Sequence, residues 1–162
     1  MPFGPGYEYG MTPREIQRKW PNLKLSENFQ FTSEQTWDYN CVAWALDIND
    51  DWIQFEYDEN GDLRVDQSVQ KYITFFQEKG FVACEDNDLE QGIQKICIYT
   101  DGNNIFTHVC LQLVNGLWAS KVGEYEDIKH DDLESLSGTF YGVPTVIMKR
   151  PINEHGPYRY NI

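Results

Sequence analysis

The sequence predicts an α+β fold in which a buried, cysteine-bearing helix packs on an antiparallel sheet. Three observations carry that prediction. Apolar residues recur at helical spacing in the first half of the chain. Short apolar and β-branched runs bounded by turn residues fill the second half. The two kinds of segment do not alternate as a parallel sheet would require. The 162 residues suffice for one domain with its own core, and 41% hydrophobic residues supply the material for it.

Residues 1–11, rich in Gly, Pro and Tyr, read as an irregular arm. Thr12-Pro13-Arg14-Glu15 is a capping box with proline at the first helical position, so a short helix is expected to run to Trp20, where Pro21 stops it. A loop then leads to Asp38-Tyr39-Asn40 and on to Cys41-Val42-Ala43-Trp44-Ala45-Leu46. That run is apolar all round, the mark of a helix buried on every side. Asn40 and Asp38 are both good N-cap types and start it at or beside Cys41.

Residues 50–65 read as an acidic surface excursion. Within it, Asp58-Glu59-Asn60-Gly61-Asp62 lacks the glutamate that a calcium loop needs at its twelfth position, and reads as a turn. Asp66 or Ser68 can cap the next helix, where Val69, Tyr72, Ile73 and Phe76 repeat at helical spacing until Gly80 ends it. Strands are expected at residues 81–84, 93–100, 105–114, 117–122 and 145–149, with a helical turn near 131–136. The whole is one domain, 1–162, closed by a C-terminal tail at 151–162.

Thirteen basic side chains stand against 26 acidic ones, a formal charge of −13. Such a field repels phosphate backbones and anionic lipid, so neither a nucleic acid nor a membrane surface is an expected partner. No run reaches the length of a membrane span, and Met1-Pro2-Phe3-Gly4-Pro5-Gly6 is not a secretory signal. The expected location is therefore cytoplasmic, with export by a route invisible in the sequence left open. Cysteines 41, 84, 97 and 110 form no C-x-x-C pair, which argues against a disulfide framework. His108-x-Cys110 is the only closely spaced His/Cys pair, so no metal site and no cofactor are expected.

A cysteine nucleophile needs stabilisation as a thiolate, a base within hydrogen-bond reach and a third group that fixes the imidazole. Cys41, at a helix start, has the free N–H groups and the dipole for the first. His108 opens His108-Val109-Cys110-Leu111-Gln112-Leu113, which reads as a half-buried strand, and is the candidate base. His130 and His155 have polar or turn neighbours and read as surface residues. The third group depends on the turn at Val114-Asn115-Gly116. A two-residue loop places Lys121 opposite Cys110, on the face of His108; a three-residue loop with Gly116 left-handed places Ser120 there. A hydroxyl can accept a hydrogen bond from the imidazole and an ammonium cannot, so chemistry prefers Ser120. The backbone N–H of Cys41 is one oxyanion donor, and Gln35, six residues earlier, is a candidate for the second.

These residues resemble a papain-like cysteine hydrolase. The run from His108 to Ser120 is similar to the histidine hairpin of the NlpC-like bacterial branch, H-V-x-[IL]-x-[LI]-x-N-G, which ends at the third catalytic group. Ser120 occupies that third position, where the branch more often has histidine, asparagine or glutamine. A closer resemblance is to an uncharacterised bacterial family carrying Y-N-C-[IV]-A-W-A-L, H-x-x-x-Q-L-x-x-G-x-W-x-S-K-x-G, I-x-H and Y-G. Here these are Tyr39 to Leu46, His108 to Gly123, Ile128-Lys129-His130 and Tyr141-Gly142. The resemblance implies a papain-like fold with Cys41, His108 and Ser120 as catalytic residues, His130 being another candidate for the third role. It implies hydrolysis or transfer at an amide or acyl bond of a peptide or protein. The alternative is a non-catalytic acidic module on the same fold that binds a basic protein, with aromatics such as Trp37, Trp52 and Trp118 at its interface.

Overall fold

Thr12 is an N-cap, its Oγ1 accepting the N–H of Glu15 at 3.2 Å, and α1 (Pro13–Lys19) follows with Pro13 at its first position. The structure, a computed structural model, describes residues 12–32, 41–46, 68–122 and 127–152. The expected N-terminal arm, Gln35, the caps Asp38 and Asn40, the acidic excursion at 50–65, Asp66, His155 and most of the C-terminal tail lie outside the described residues. After α1 come β1 (Gln30–Phe31), α2 (Cys41–Ala45), α3 (Val69–Glu78), β2 (Val82–Cys84), β3 (Ile93–Thr100), β4 (Phe106–Gln112), β5 (Trp118–Lys121), β6 (Asp127–His130), a 3-10 turn (Leu133–Leu136) and β7 (Val143–Pro151).

The strands form one antiparallel sheet in the order β1-β6-β5-β4-β3-β7-β2. Helices precede most of the strands, as the α+β reading expects. Helix α3 begins after Ser68 and stops at Gly80, whose φ of +95° suits glycine. Two strands escape the sequence reading. β1 has only two residues, and β6, Asp127-Ile128-Lys129-His130, carries a single aliphatic side chain.

Both faces of the sheet are covered. On one, Val42 and Ala45 of α2 and Tyr72 and Phe76 of α3 meet Ile96, Ile98, Val109, Leu111 and Met148. On the other, Ile16 of α1 and its C-cap Trp20, with Leu133 and Leu136, meet Cys97, Tyr99, Cys110, Trp118 and Ile128. This corrects the expectation of a half-buried strand at His108–Leu113: every one of its side chains is buried. Period-two alternation in β4 distributes residues between two cores instead of between core and water. All four cysteines are free thiols, and Cys97 stands directly across from Cys110 on adjacent strands.

Candidate active site

The turn between β4 and β5 decides what faces His108. Leu113 N–H donates to Leu117 O at 2.7 Å and Gly116 N–H to Leu113 O at 3.0 Å, closing a three-residue loop with Gly116 at φ +88°. The register that follows pairs Leu111 with Ala119 and Gln112 with Trp118. Ser120 therefore shares the face of His108, and Lys121 points to the other. Ser120 Oγ lies 3.1 Å from His108 Nε2.

The contact does not end at serine. In β6, Trp118 pairs with His130 and Ser120 with Ile128, which brings His130 to the same face. Its Nε2 is 2.8 Å from Ser120 Oγ, and its Nδ1 is 2.9 Å from the main-chain oxygen of Asp132. His130, expected at the surface, has 0% exposure. Its neighbours in sequence are polar, but β1 and the 3-10 turn enclose the strand that carries it.

His108 is also fully buried, and Tyr141 stacks on its ring with centroids 4.1 Å apart and planes 5° off parallel. Gly142 makes that placement possible. Its φ is +71°, and a Cβ there would lie 2.0 Å from the Thr100 carbonyl oxygen, so only glycine lets the chain pass. With Nε2 held by serine, His108 Nδ1 is left buried with no hydrogen-bond partner.

Cys41 comes to this strand from the other side. Residues 109, 111 and 113 turn their N–H groups toward β5, as the Leu113–Leu117 bond fixes by alternation. The β4–β5 pairing stops at Leu111, and the freed N–H of Val109 faces the sulfur of Cys41 instead, together with the N–H groups of Val42 and Cys41. The thiol thus sits where the two strands splay, beside the residue that follows His108. Cys41 packs with the α2–α3 core, however, and makes no hydrogen bond to His108 Nδ1.

The expected thiolate is not the resting form. Burial pushes the Cys41 pKa up to about 11, outweighing the three N–H groups and the positive charge of Lys121 that pull it down. A helix of five residues offers too little field to offset that desolvation. Burial, with a smaller contribution from His130, holds His108 well below the usual histidine pKa, and burial brings His130 down to about 4. Thiol and imidazoles are all neutral at pH 7. Lys121, the alternative third group, is 0% exposed and lies 3.9 Å from Asp127 on the Cys41 side of the sheet.

The structure brings together His108 and Ser120, and with them His130, which the sequence offered as an alternative third group; it shows no hydrogen bond between Cys41 and His108, and the burial of His130 and the stacking of Tyr141 were not foreseen. The signal for His130 was the period-two pair Ile128-x-His130; for Tyr141 it was the glycine that follows it. Among the described residues no helix is long and apolar enough to cross a membrane. No curated protein and no solved structure matches the chain. The profile of a domain of unknown function, DUF7689, matches residues 30–149, which takes in the site's described residues, and the chain belongs to that family.

Proposed function

We propose that the chain is a thiol-dependent hydrolase or transferase of papain-like fold, acting on an amide or related acyl bond of a peptide or protein. The observation that carries this reading is the buried, unpartnered Nδ1 of His108, one residue from the N–H that faces the Cys41 sulfur. An orphaned buried nitrogen is costly, and such groups are kept where chemistry uses them.

This reading requires the Cys41 thiol, which packs on the other face of the sheet from His108, to reach Nδ1; Nδ1 then takes the thiol proton as sulfur attacks the acyl carbon, forming the C–S bond while the carbonyl electron pair moves to oxygen. The Cys41 main-chain N–H and Gln35 serve as donors to that oxyanion. Collapse breaks the bond to the leaving amine, which receives the proton from Nδ1. Water or another acceptor then cleaves the thioester by the same base in reverse order. Ser120 orients His108 throughout. The charge of −13 favours basic substrates by long-range attraction.

Chloroacetamide labelling of the full chain at pH 7.5, read peptide by peptide in a mass spectrometer, tests the pair. A thiol with a pKa of about 11 is ionised in roughly one molecule in three thousand at that pH. Assistance by His108 should raise the Cys41 rate above that of so weak an acid, and His108→Ala should slow it by about 10²-fold. Equal rates in the two proteins would remove the catalytic reading. A screen of peptide and glutamine-containing substrates against a Cys41→Ala control then addresses the bond cleaved.

A second reading, a non-catalytic acidic binding module, draws on one observation: a thiol that is neutral and not bonded to the imidazole. Slow labelling of Cys41 that is indifferent to His108 supports it.

A further inference from the structure

We infer that His130, acting through Ser120, fixes the ring proton of His108 on Nε2 and so keeps Nδ1 as a bare lone pair. His130 is then a positioning residue. What the lone pair does rests on the Cys41–His108 reading; that it exists does not.

Asp132 O, His130, Ser120 and His108 form a four-member hydrogen-bonded chain. The main-chain oxygen of Asp132 can only accept, and it lies 2.9 Å from His130 Nδ1, so Nδ1 carries the hydrogen. Burial keeps that ring neutral, which leaves its Nε2 bare. Ser120 Oγ, at 2.8 Å from that bare nitrogen, must donate to it. A hydroxyl has one proton, and serine's is now committed. Toward His108 Nε2, at 3.1 Å, Ser120 can therefore only accept, and the hydrogen of that bond belongs to His108. A neutral imidazole with Nε2–H has its lone pair on Nδ1, the atom left without a partner.

Serine alone could not do this. Its hydroxyl rotates, and would serve either tautomer of His108 equally well. Direction enters the chain only at Asp132, where a carbonyl offers no choice, and His130 transmits it. A family pattern with serine at the third position thus gains from a histidine ten residues on what a single asparagine side chain would supply alone. Tyr141, stacked on His108, keeps the ring in the plane where its Nε2 meets serine.

The test uses the full chain labelled with 15N in its histidine rings, at pH 7.5. Protonated and bare ring nitrogens have well separated shifts, and long-range proton–nitrogen correlations show which nitrogen carries hydrogen. His108→Gln and His130→Phe assign the signals by removing them. The expected pattern is hydrogen on Nδ1 of His130 and on Nε2 of His108. In His130→Phe the His108 signals should move to a mixture of both tautomers, and Ser120→Ala should do the same if the phenylalanine variant fails to fold. Ser120→Thr, which keeps the hydroxyl, should restore the single pattern. Hydrogen on His108 Nδ1 in the unaltered protein overturns the inference, as does a His108 tautomer unmoved by both relay-breaking variants. Because the readout involves no reaction of Cys41, a tautomer that follows the relay while labelling ignores His108 would sink the enzyme and leave the relay standing.

Discussion

Mild acid should destabilise this protein through its buried histidines, by an amount the structure sets. His130 has 0% exposure and its pKa is lowered by burial from 6.5 to about 4. The unfolded chain takes up this proton as pH falls below 6.5, while the folded chain refuses it until pH 4. Between those values the unfolded state holds more protons, so stability falls with pH. At 1.36 kcal/mol per unit, His130 alone removes about 2 kcal/mol by pH 5 and roughly 3 kcal/mol once both states are protonated. His108, shifted in the same direction, adds to the loss. Asp86 and Asp132 have lowered values, so their contribution is lost only as pH falls below the ordinary carboxylate range, outside this window. Urea unfolding at several pH values from 7.5 to 5 measures the slope, against a total stability that for domains of this kind is about 5–15 kcal/mol. His130→Phe, which keeps the ring volume, should lose about 2 kcal/mol of the pH-dependent loss. A free energy of unfolding that stays level or rises from pH 6.5 to 5 would refute the burial and neutrality of both rings.

Four other outcomes follow from packing and charge. Gly142→Ala should cost more than about 2 kcal/mol in urea unfolding and displace Tyr141 from His108, because the added carbon meets the Thr100 carbonyl at 2.0 Å with φ at +71°. Asp127→Asn removes the carboxylate beside the fully buried Lys121 and should cost about 3 kcal/mol; Lys121→Met should instead shift the alkaline limb of Cys41 labelling upward, since the Lys121 charge lowers that thiol's pKa. Phe76→Ala, at a side chain with 0% exposure set edge-on to Phe81, should cost about 3–5 kcal/mol with an unchanged urea m value.

The hairpin was legible from its turn. Asn115-Gly116 left loops of two and three residues open, and imidazole hydrogen-bonding chemistry preferred Ser120 over Lys121; the Leu113–Leu117 bond makes the loop three residues, and alternation then puts Ser120 on the face of His108. The cysteine at a helix start was legible for a similar reason, since a run apolar on every side with capping residues before it has few other places to go. What escaped was everything set by cover from distant segments. His130 sits between Lys129 and Asp131, and nothing local says that β1 and the 3-10 turn will close over it. The half-buried reading of β4 failed in the same way, because α1 covers the face that was expected to meet water. The protonation of Cys41 was missed because a helix dipole is visible in sequence and a desolvated sulfur is not.

The neutral state of the site follows from magnitudes. A thiol at about 11 and an imidazole below 6.5 differ by more than four units, so the preformed ion pair is disfavoured by at least about 6 kcal/mol before any attraction. Attraction between unit charges 4 Å apart returns about 4 kcal/mol at the effective dielectric typical of proteins. The neutral pair wins. On the proposed thiol chemistry, such a site cannot rely on a standing thiolate: its nucleophile has to be made during the attack, with proton and sulfur moving together. That places the demand on the base: its lone pair must already be on the correct nitrogen when substrate arrives. Serine in the third position, which looks like a weakened orienting group when read alone, meets that demand once His130 and the Asp132 carbonyl give its hydroxyl a direction.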